Sequence, residues 1–245
     1  MRRHQLAQML ILGLIASAGG IALALAIDWF PKVGSRQADD IDTLFDVLLI
    51  ASVPVFVLVQ SIVLFCVWKF RMRPGEELKD GPPIHGNTML EVVWTAIPAL
   101  LLVGLCAYAY TVLGDIEDPK ADRMVVNVTG EQFAWHFAYP AAGGGKPVAS
   151  DQLYLPANRQ IEFKVRSKDV IHDFFVPEFR MKIDAVPGIT TEIRVDTRGE
   201  RRNYPVVCAE LCGLGHATMR QTAHVVPQAE FDSWMQRKQK EAQST

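Results

Sequence analysis

The sequence predicts a chain of two parts, in which apolar transmembrane helices precede an all-β sandwich that ends in a short helix. Three observations predict this division. The long apolar runs lie almost entirely before residue 114, short alternating stretches follow Asp115, and a helical apolar pattern returns after Pro227. Hydrophobic residues make up 49% of the 245 residues, enough for one domain together with membrane segments. The formal net charge of −2 gives no indication of a nucleic-acid partner.

Three stretches are long enough to cross a bilayer, which requires about 20 apolar residues. They cover roughly residues 6–27, 44–68 and 92–113. The first has two interpretations, because a basic start at Arg2 and Arg3 and a small-residue sequence at 24–26 are also typical of a signal peptide. The predicted divisions are a signal peptide or first helix at 1–27, an external loop at 28–43 and a helical hairpin at 44–114.

Basic residues predict the orientation of these segments. They lie before the first segment and after the second, at Arg2, Arg3, Lys69, Arg71, Arg73 and Lys79, whereas the loop 28–42 is mainly acidic. Because positive charge marks the cytoplasmic side, the N-terminus and the loop 69–90 are expected in the cytoplasm. The region after Asp115 is then expected outside, in a multi-pass protein of the membrane.

The region 115–228 is predicted to be a β-sandwich. Several short stretches have strand composition or alternate with a period of two, at 124–128, 160–165, 190–195, 204–208 and 221–226. Strands of this length at regular spacing are typical of a sandwich or barrel. The tail 229–245 is predicted to begin as a helix that packs on the sandwich through Phe231, Trp234 and Met235, which share one helical face.

Residues 208–219 form the most informative motif, Cys-Ala-Glu-Leu-Cys-Gly-Leu-Gly-His-Ala-Thr-Met. His172 lies 36 residues upstream. A disulfide would use only the two cysteines, although the outer compartment permits one. A zinc site of two Cys and two His would leave Met219 without a role. Thiolate, imidazole and thioether ligands together favour copper.

The number of ligands indicates the type of copper site. A mononuclear site with two His and one weakly bound Met needs only one thiolate, and this loop offers Cys208 and Cys212. Two bridging thiolates allow two coppers, with His172 on one ion and His216 on the other. Met219 and the backbone carbonyl of Glu210 complete the predicted set. Such a closed centre suits electron transfer and leaves no open position for a substrate.

Glu91, at the cytoplasmic start of the third segment, has two interpretations. An acid at a helix N-terminus complements the helix dipole. An ionisable residue at a membrane edge is also typical of the entrance to a proton path. The sequence leaves both open.

The chain resembles subunit II of the cytochrome c oxidases, which are heme–copper terminal oxidases. The resemblance covers residues 40–236 and is carried by four segments: 85–98, from His-Gly-Asn to Thr-Ala-Ile-Pro; Ser-Lys-Asp-Val-Ile-His at 167–172; Lys-Ile-Asp-Ala-Val-Pro-Gly at 182–188; and the cysteine motif at 208–219. It implies a cupredoxin domain that holds the dinuclear copper centre CuA. The ligands it implies are His172, Cys208, Glu210 through its carbonyl, Cys212, His216 and Met219.

The resemblance further implies a subunit of an oxidoreductase, without a complete active site on this chain. CuA would accept electrons from a c-type cytochrome and pass them to heme a in subunit I, which also holds CuB, for proton-coupled reduction of oxygen to water. The Glu210 side chain would bind Mg at the boundary with subunit I, and Glu91 would lie at the mouth of a proton path. The other expected partners are subunit III and the lipid bilayer. The expected location is a bacterial plasma membrane, with the cupredoxin domain on the outside.

Two residues depart from the usual pattern of this family. Phe133 stands where an electron-entry tryptophan is expected, with Trp135 two residues later, and Lys168 stands where many relatives carry an acid used in docking. A donor interface that depends less on charge is therefore expected. The alternatives are the CuA subunit of a nitric oxide- or nitrous oxide-reducing enzyme, and a membrane-anchored copper-binding or delivery protein.

Overall fold

The computed structural model describes residues 3–72, 74–75, 83, 85–140, 146–199 and 201–243. It divides into two compact units. The membrane unit contains residues up to 28 together with 43–111, and the sandwich unit contains 29–42 together with 112–245. Arg2, Arg73 and Lys79, three of the residues used to predict the orientation, lie outside the described residues.

The membrane unit consists of helices that are long and apolar enough to span a bilayer. They are α1 Arg3–Leu25, α2 Gln37–Phe70 and α3 Thr88–Glu117. Helix α2 starts at Gln37, seven residues before the predicted segment 44–68. The additional residues are polar, and they belong to the sandwich unit. There the Ser35 hydroxyl accepts a hydrogen bond from the Ala38 amide at 3.1 Å, which satisfies one of the unpaired amides of a helix start.

The sandwich consists of two five-stranded sheets, with strand orders β3-β2-β1-β5-β8 and β4-β10-β9-β6-β7. The strands are β1 Met124–Glu131, β2 Ala134–Tyr139, β3 Val148–Ser150, β4 Leu153–Pro156, β5 Gln160–Ser167, β6 His172–Val176, β7 Met181–Ala185, β8 Thr191–Asp196, β9 Arg202–Cys208 and β10 Arg220–Val226. All five predicted stretches are strands. The predicted fold class, membrane helices followed by a cupredoxin-like sandwich and a C-terminal helix, is confirmed.

The alternation in β5 places one face of the strand in the core. Ile161, Phe163 and Val165 are fully buried, as the period of two predicts. Helix α4 (Gln228–Gln243) covers the sandwich through Phe231 and Trp234, which are also buried. The predicted packing of this helix on the sandwich is therefore confirmed.

The segment 29–42, which makes up most of the predicted external loop 28–43, packs on the sandwich. The Ser35 hydroxyl donates to the Phe179 carbonyl at 3.1 Å, and the Asp196 amide donates to the Gln37 side chain at 2.8 Å. Ser35 and Gln37 are almost completely buried. These hydrogen bonds satisfy polar groups at buried positions, so this segment is a structural part of the sandwich unit.

Candidate metal centre

The cysteine motif forms a short loop between neighbouring strands of one sheet. Strand β9 ends at Cys208, β10 begins at Arg220, and the Cys208 amide donates to the Met219 carbonyl at 3.2 Å to close the loop. His172 begins β6, which pairs with β9 so that Phe174 lies opposite Cys208. Sheet register therefore brings His172 to the loop despite the 36 residues between them.

The sulfur and nitrogen atoms of the motif converge on one site. The Cys208 and Cys212 Sγ atoms are 3.8 Å apart, too far for the bond of about 2.05 Å in a disulfide. His172 Nδ1 is 3.9 Å from the Cys208 Sγ, and His216 Nδ1 is 3.7 Å from the Cys212 Sγ. The Met219 Sδ lies 3.9 Å from the Cys212 Sγ, and the Glu210 carbonyl oxygen lies 3.2 Å from the Cys208 Sγ.

These separations fit atoms that share metal ions. A metal–sulfur bond of about 2.3 Å and a metal–nitrogen bond of about 2.0 Å allow two ligands of one ion to be at most roughly 4.3 Å apart. Both measured sulfur–nitrogen separations are shorter than this limit. Each histidine faces a different cysteine, so the set has the arrangement expected for two ions bridged by two thiolates. His172, Cys208, Cys212 and Met219 are buried, whereas His216 is half-buried and Glu210 is exposed.

Asp169 orients His172. Its Oδ1 is 2.8 Å from His172 Nε2, which directs the other ring nitrogen, Nδ1, toward Cys208. Burial raises the pKa of Asp169, but hydrogen bonds from the Gln132 amide, from His172 and from the Val170 amide outweigh that effect and hold the pKa at about 2. A carboxylate behind a histidine ligand fixes the tautomer and the ring orientation.

Gln132 connects the two parts of the centre. Its backbone amide donates to Asp169 Oδ2 at 2.7 Å, and its side-chain amide donates to the Cys212 carbonyl at 2.6 Å. One residue therefore supports both the histidine and the cysteine loop. Sequence reasoning assigned no role to Asp169 or Gln132. In the sequence, the only indication of a role for Asp169 was its position three residues before His172. No sequence feature indicated a role for Gln132.

Glycines make room for the rings around the centre. A Cβ atom on Gly130 would lie 3.0 Å from the His172 ring and 3.1 Å from the Trp135 ring. A Cβ atom on Gly215 would lie 2.4 Å from the ring of Phe133. Gly213 has φ +131°, a conformation that side chains other than glycine's rarely allow.

The two aromatic residues near the loop have different positions. Trp135 is fully buried, and its ring lies edge-on to His172 with 5.9 Å between the centroids. Phe133 is partly exposed and packs on the loop glycines. Of this pair, Phe133 alone reaches solvent and could touch an external partner.

The metal-free Cys212 thiol holds its proton. Burial, together with the hydrogen bond to Cys208, raises the pKa of the Cys212 thiol above its ordinary value. Because thiolates are the form that binds metal, loading the site releases protons. Metal binding is therefore expected to strengthen as the pH rises.

Glu91 lies far along the chain from the metal loop, at the start of α3. Its carboxylate accepts a hydrogen bond from the Asn87 amide at 3.3 Å, while the Asn87 side chain accepts one from the Leu90 amide at 3.1 Å. This reciprocal arrangement stabilises the helix start, as the helix-dipole interpretation expects. It leaves the second interpretation, a proton-path entrance, as a prediction.

Replacing Asp169 with asparagine is expected to lower metal affinity by about 10- to 100-fold, because His172 loses the carboxylate that orients it. Competition with a chelator of known affinity measures the effect. Asp151→Asn is the matched control, since Asp151 contacts His136, a residue outside the ligand set. Equal affinities of the two variants would show that Asp169 does not support the centre.

Family comparisons agree on one family over most of the chain. The model of the cytochrome C oxidase subunit II transmembrane domain matches residues 22–112, and the model of its periplasmic domain matches residues 146–226. The cytochrome c oxidase subunit 2 of Thermostichus vulcanus is 32% identical, covering 90% of this chain and 84% of that protein. The protein of the same name from Synechocystis sp. is 28% identical, covering 88% of this chain and 80% of its own length.

A solved structure is also similar to the sandwich unit. The crystal structure of the periplasmic domain of subunit II of cytochrome oxidase from Bradyrhizobium japonicum is 34% identical in sequence. It covers 50% of this chain and 97% of its own chain, with a TM-score of 0.45.

Proposed function

Since this chain belongs to the cytochrome c oxidase subunit II family, we propose that it is the electron-input subunit of a respiratory heme–copper oxidase. Membership in the family implies a CuA copper centre. The convergence of His172, Cys208 and Cys212, whose ligand atoms lie within 4.8 Å of one another, is the observation that carries the proposal.

The proposed ligands of two copper ions are His172, Cys208, Cys212, His216, Met219 and the carbonyl of Glu210. When bound, a thiolate-bridged copper pair supplies a one-electron relay. The protein contributes rigidity, because Asp169, Gln132 and the strands β6 and β9 hold the ligands in place. A rigid, dry site limits structural change when the charge of the centre changes, which favours rapid transfer.

We propose Phe133 and Leu214 as the contact surface for a c-type cytochrome. Phe133 packs against Gly215, and Leu214, which lies between the loop glycines, is fully exposed. Lys168 forms an ion pair with Glu131 at 2.5 Å, so its positive charge is compensated. Exposed apolar groups on this loop support a donor interface that depends little on electrostatic steering.

Donor oxidation by the purified oxidase tests the function and the interface together. Raising the ionic strength from about 0.01 M to about 0.15 M shortens the Debye length from about 30 Å to about 8 Å. We expect kcat/KM for a reduced c-type cytochrome to fall by less than about tenfold over this range, because steering contributes little. Leu214→Ser is expected to lower kcat/KM by about tenfold at both ionic strengths, since an apolar contact is lost.

Lys168→Glu is the comparison variant for that experiment. It leaves two carboxylates at the former ion pair and is expected to make the salt dependence with a basic donor steeper. A steep salt dependence in the unmodified protein would contradict the apolar interface. Failure of the intact, copper-loaded oxidase to oxidise any c-type cytochrome would overturn the function itself.

The partner subunits complete the proposed path. Electrons pass to heme a in subunit I, where CuB and heme reduce oxygen to water with proton translocation, and subunit III is the expected third subunit. The exposed side chain of Glu210 is free to bind Mg at the boundary with subunit I while its carbonyl faces Cys208. We retain Glu91 as a proton-path entrance.

The proposed location is the bacterial plasma membrane. Three apolar helices support membrane anchoring, and the match to a periplasmic domain supports an extracytoplasmic position for the sandwich. The charge pattern of the sequence supports the same orientation.

The alternative functions are not favoured. Most of the ligand set is buried, whereas a copper-delivery protein needs an exchangeable and open site. Rapid loss of copper to a chelator under native conditions would favour delivery. The family comparisons support an oxidase rather than a nitric oxide- or nitrous oxide-reducing enzyme.

A further inference from the structure

The turn between β1 and β2 lies against the cysteine loop. Strand β1 ends at Glu131 and β2 begins at Ala134, so the turn consists of Gln132 and Phe133. Glu131 and Ala134 are paired opposite each other, which places the turn at the end of a hairpin. Gln132 and Phe133 are called the cap below.

The Phe133 ring lies against two glycines of the cysteine loop. A Cβ atom on Gly215 would lie 2.6 Å from Cγ and 2.8 Å from Cε2 of this ring. A Cβ atom on Gly213 would lie 3.2 Å from the ring atoms Cε1 and Cζ. The ring can therefore take this position because residue 215 is a glycine. Phe133 is 37% exposed, so one side of the ring covers the loop while the other side faces solvent.

Hydrogen bonds of Gln132 fasten the cap to the loop. Its side-chain amide donates to the Cys212 carbonyl at 2.6 Å, and its backbone amide donates to Asp169 Oδ2 at 2.7 Å. Among the described hydrogen bonds, the first is the only one that joins a side chain outside the cysteine motif to residues 209–215. The cap therefore holds this part of the loop against the hairpin.

The cap covers the loop beside the least buried side-chain ligand. His216 is half-buried, whereas the other four proposed side-chain ligands are at most 7% exposed. His216 directly follows Gly215, against which the Phe133 ring lies. A copper ion or a chelator that approaches from solvent therefore reaches His216 more easily than the other ligands, and the ring narrows that approach.

We propose that the cap controls copper exchange, so that Phe133 and Gln132 lift from the loop before a copper ion enters or leaves the site. This inference rests on the proposed copper centre and assigns a regulation to it. The described contacts of the Phe133 ring are with Gly213 and Gly215, which supply no ligand atom. The ring therefore affects the barrier to exchange more than the stability of the metal-bound state. Contact with a donor through the exposed side of the ring is compatible with this role.

The test follows copper(I) exchange in the full chain, purified in detergent and kept reduced. Release is followed as copper(I) passes to an excess of a chromophoric chelator, and loading as the metal-free chain takes copper(I) from the same chelator complex. Phe133→Ala is expected to make both rates about tenfold faster, which corresponds to about 1.4 kcal/mol in the barrier. Because both rates change by the same factor, the Kd for copper should stay unchanged. A residue that only stabilised bound copper would change the release rate and the Kd without changing the loading rate.

Gly215→Ala displaces the ring from the other side of the contact. The φ angle of Gly215 is −91°, which alanine also adopts, but the new Cβ atom would overlap the Phe133 ring. Exchange is again expected to become about tenfold faster in both directions. In Phe133→Ala/Gly215→Ala the new methyl group has no ring to displace. This double variant should therefore exchange copper at the rate of Phe133→Ala alone.

Gly199→Ala is the matched control. Its Cβ atom would lie 2.9 Å from the Asn158 side chain, outside the cysteine loop, so the exchange rates should equal those of the unmodified protein. Unchanged rates in Phe133→Ala and Gly215→Ala would overturn the proposal, and so would faster release with unchanged loading. Additive effects in the double variant would show that Gly215 acts independently of the ring and would also contradict it. If the unmodified chain binds no copper, the proposed copper centre itself is wrong.

Discussion

Replacing Cys212 with serine is expected to abolish the two-copper centre. In the unmodified full chain loaded with copper, metal analysis should find two ions per chain, and electron paramagnetic resonance should show one unpaired electron shared by two nuclei. Cys212 Sγ contacts three other groups of the ligand set, Cys208, His216 and Met219, at 3.7–3.9 Å. The serine hydroxyl is a harder ligand than a thiolate and cannot replace the second sulfur bridge. The variant should bind one copper or none.

Cys106→Ser is the matched control. Cys106 is a free thiol in the apolar part of α3, and its replacement should leave the copper content and the spectrum unchanged. The fold of the variant can be checked through Trp234, which is buried where helix α4 covers the sandwich, whereas Trp135 contacts His172 and reports on the site itself. An unchanged two-copper spectrum in Cys212→Ser would refute the bridging role.

Replacing Asp42 with asparagine is expected to destabilise the sandwich unit by about 3 kcal/mol. Arg180 is almost completely buried, and it donates to both oxygens of Asp42, at 2.8 and 3.0 Å. Removal of one member of a buried ion pair costs about 3–5 kcal/mol, because the remaining charge is left without compensation. Asp42 is partly exposed, so the lower end of this range applies. Arg180 also donates to the Pro177 and Pro31 carbonyls and lies over the Phe30 ring, and these partners carry no formal charge. Glu178 is a further acid that interacts with Arg180, but no ion pair joins the two side chains among the described contacts.

Pulse proteolysis in urea, performed on the full chain in detergent, measures the free energy of unfolding of the sandwich unit. The control is Glu230→Gln, which breaks the exposed ion pair with Arg201. Exposed pairs contribute at most about 1 kcal/mol, so this variant should differ little from the unmodified protein. A loss in Asp42→Asn no larger than in the control would show that the segment 29–42 does not stabilise the sandwich.

The contacts of the segment 29–42 also affect which fragment of the chain can be studied by itself. A fragment that starts at residue 115 lacks Asp42 and the segment that contains Ser35 and Gln37. Arg180, the Phe179 carbonyl and the Asp196 amide would then lose their partners. Unpaired buried polar groups cost about 1–3 kcal/mol each, so copper loading is better measured on the full chain.

The sequence predicts the membrane helices and the strands well where local pattern decides them. Helix α2 contains a long apolar run, and β5 alternates over its whole length, so composition and period identify both. Strands β3, β4, β6 and β7 were not predicted, because they are only three to five residues long, and β2 was indicated only by its aromatic residues. Their pairing partners in the sheets, rather than their own residues, make them strands.

The sequence by itself predicted the candidate ligand residues, because soft ligand atoms at short spacing in one loop have few other uses. It also determined the division between membrane helices and sandwich, since the transfer of apolar groups from water depends on composition. Only the tertiary structure decided that Asp169 and Gln132 support the ligands and that the segment 29–42 belongs to the sandwich. Those contacts join residues up to 163 positions apart, such as Ser35 and Arg198, and a local sequence pattern carries no information about which distant residues meet.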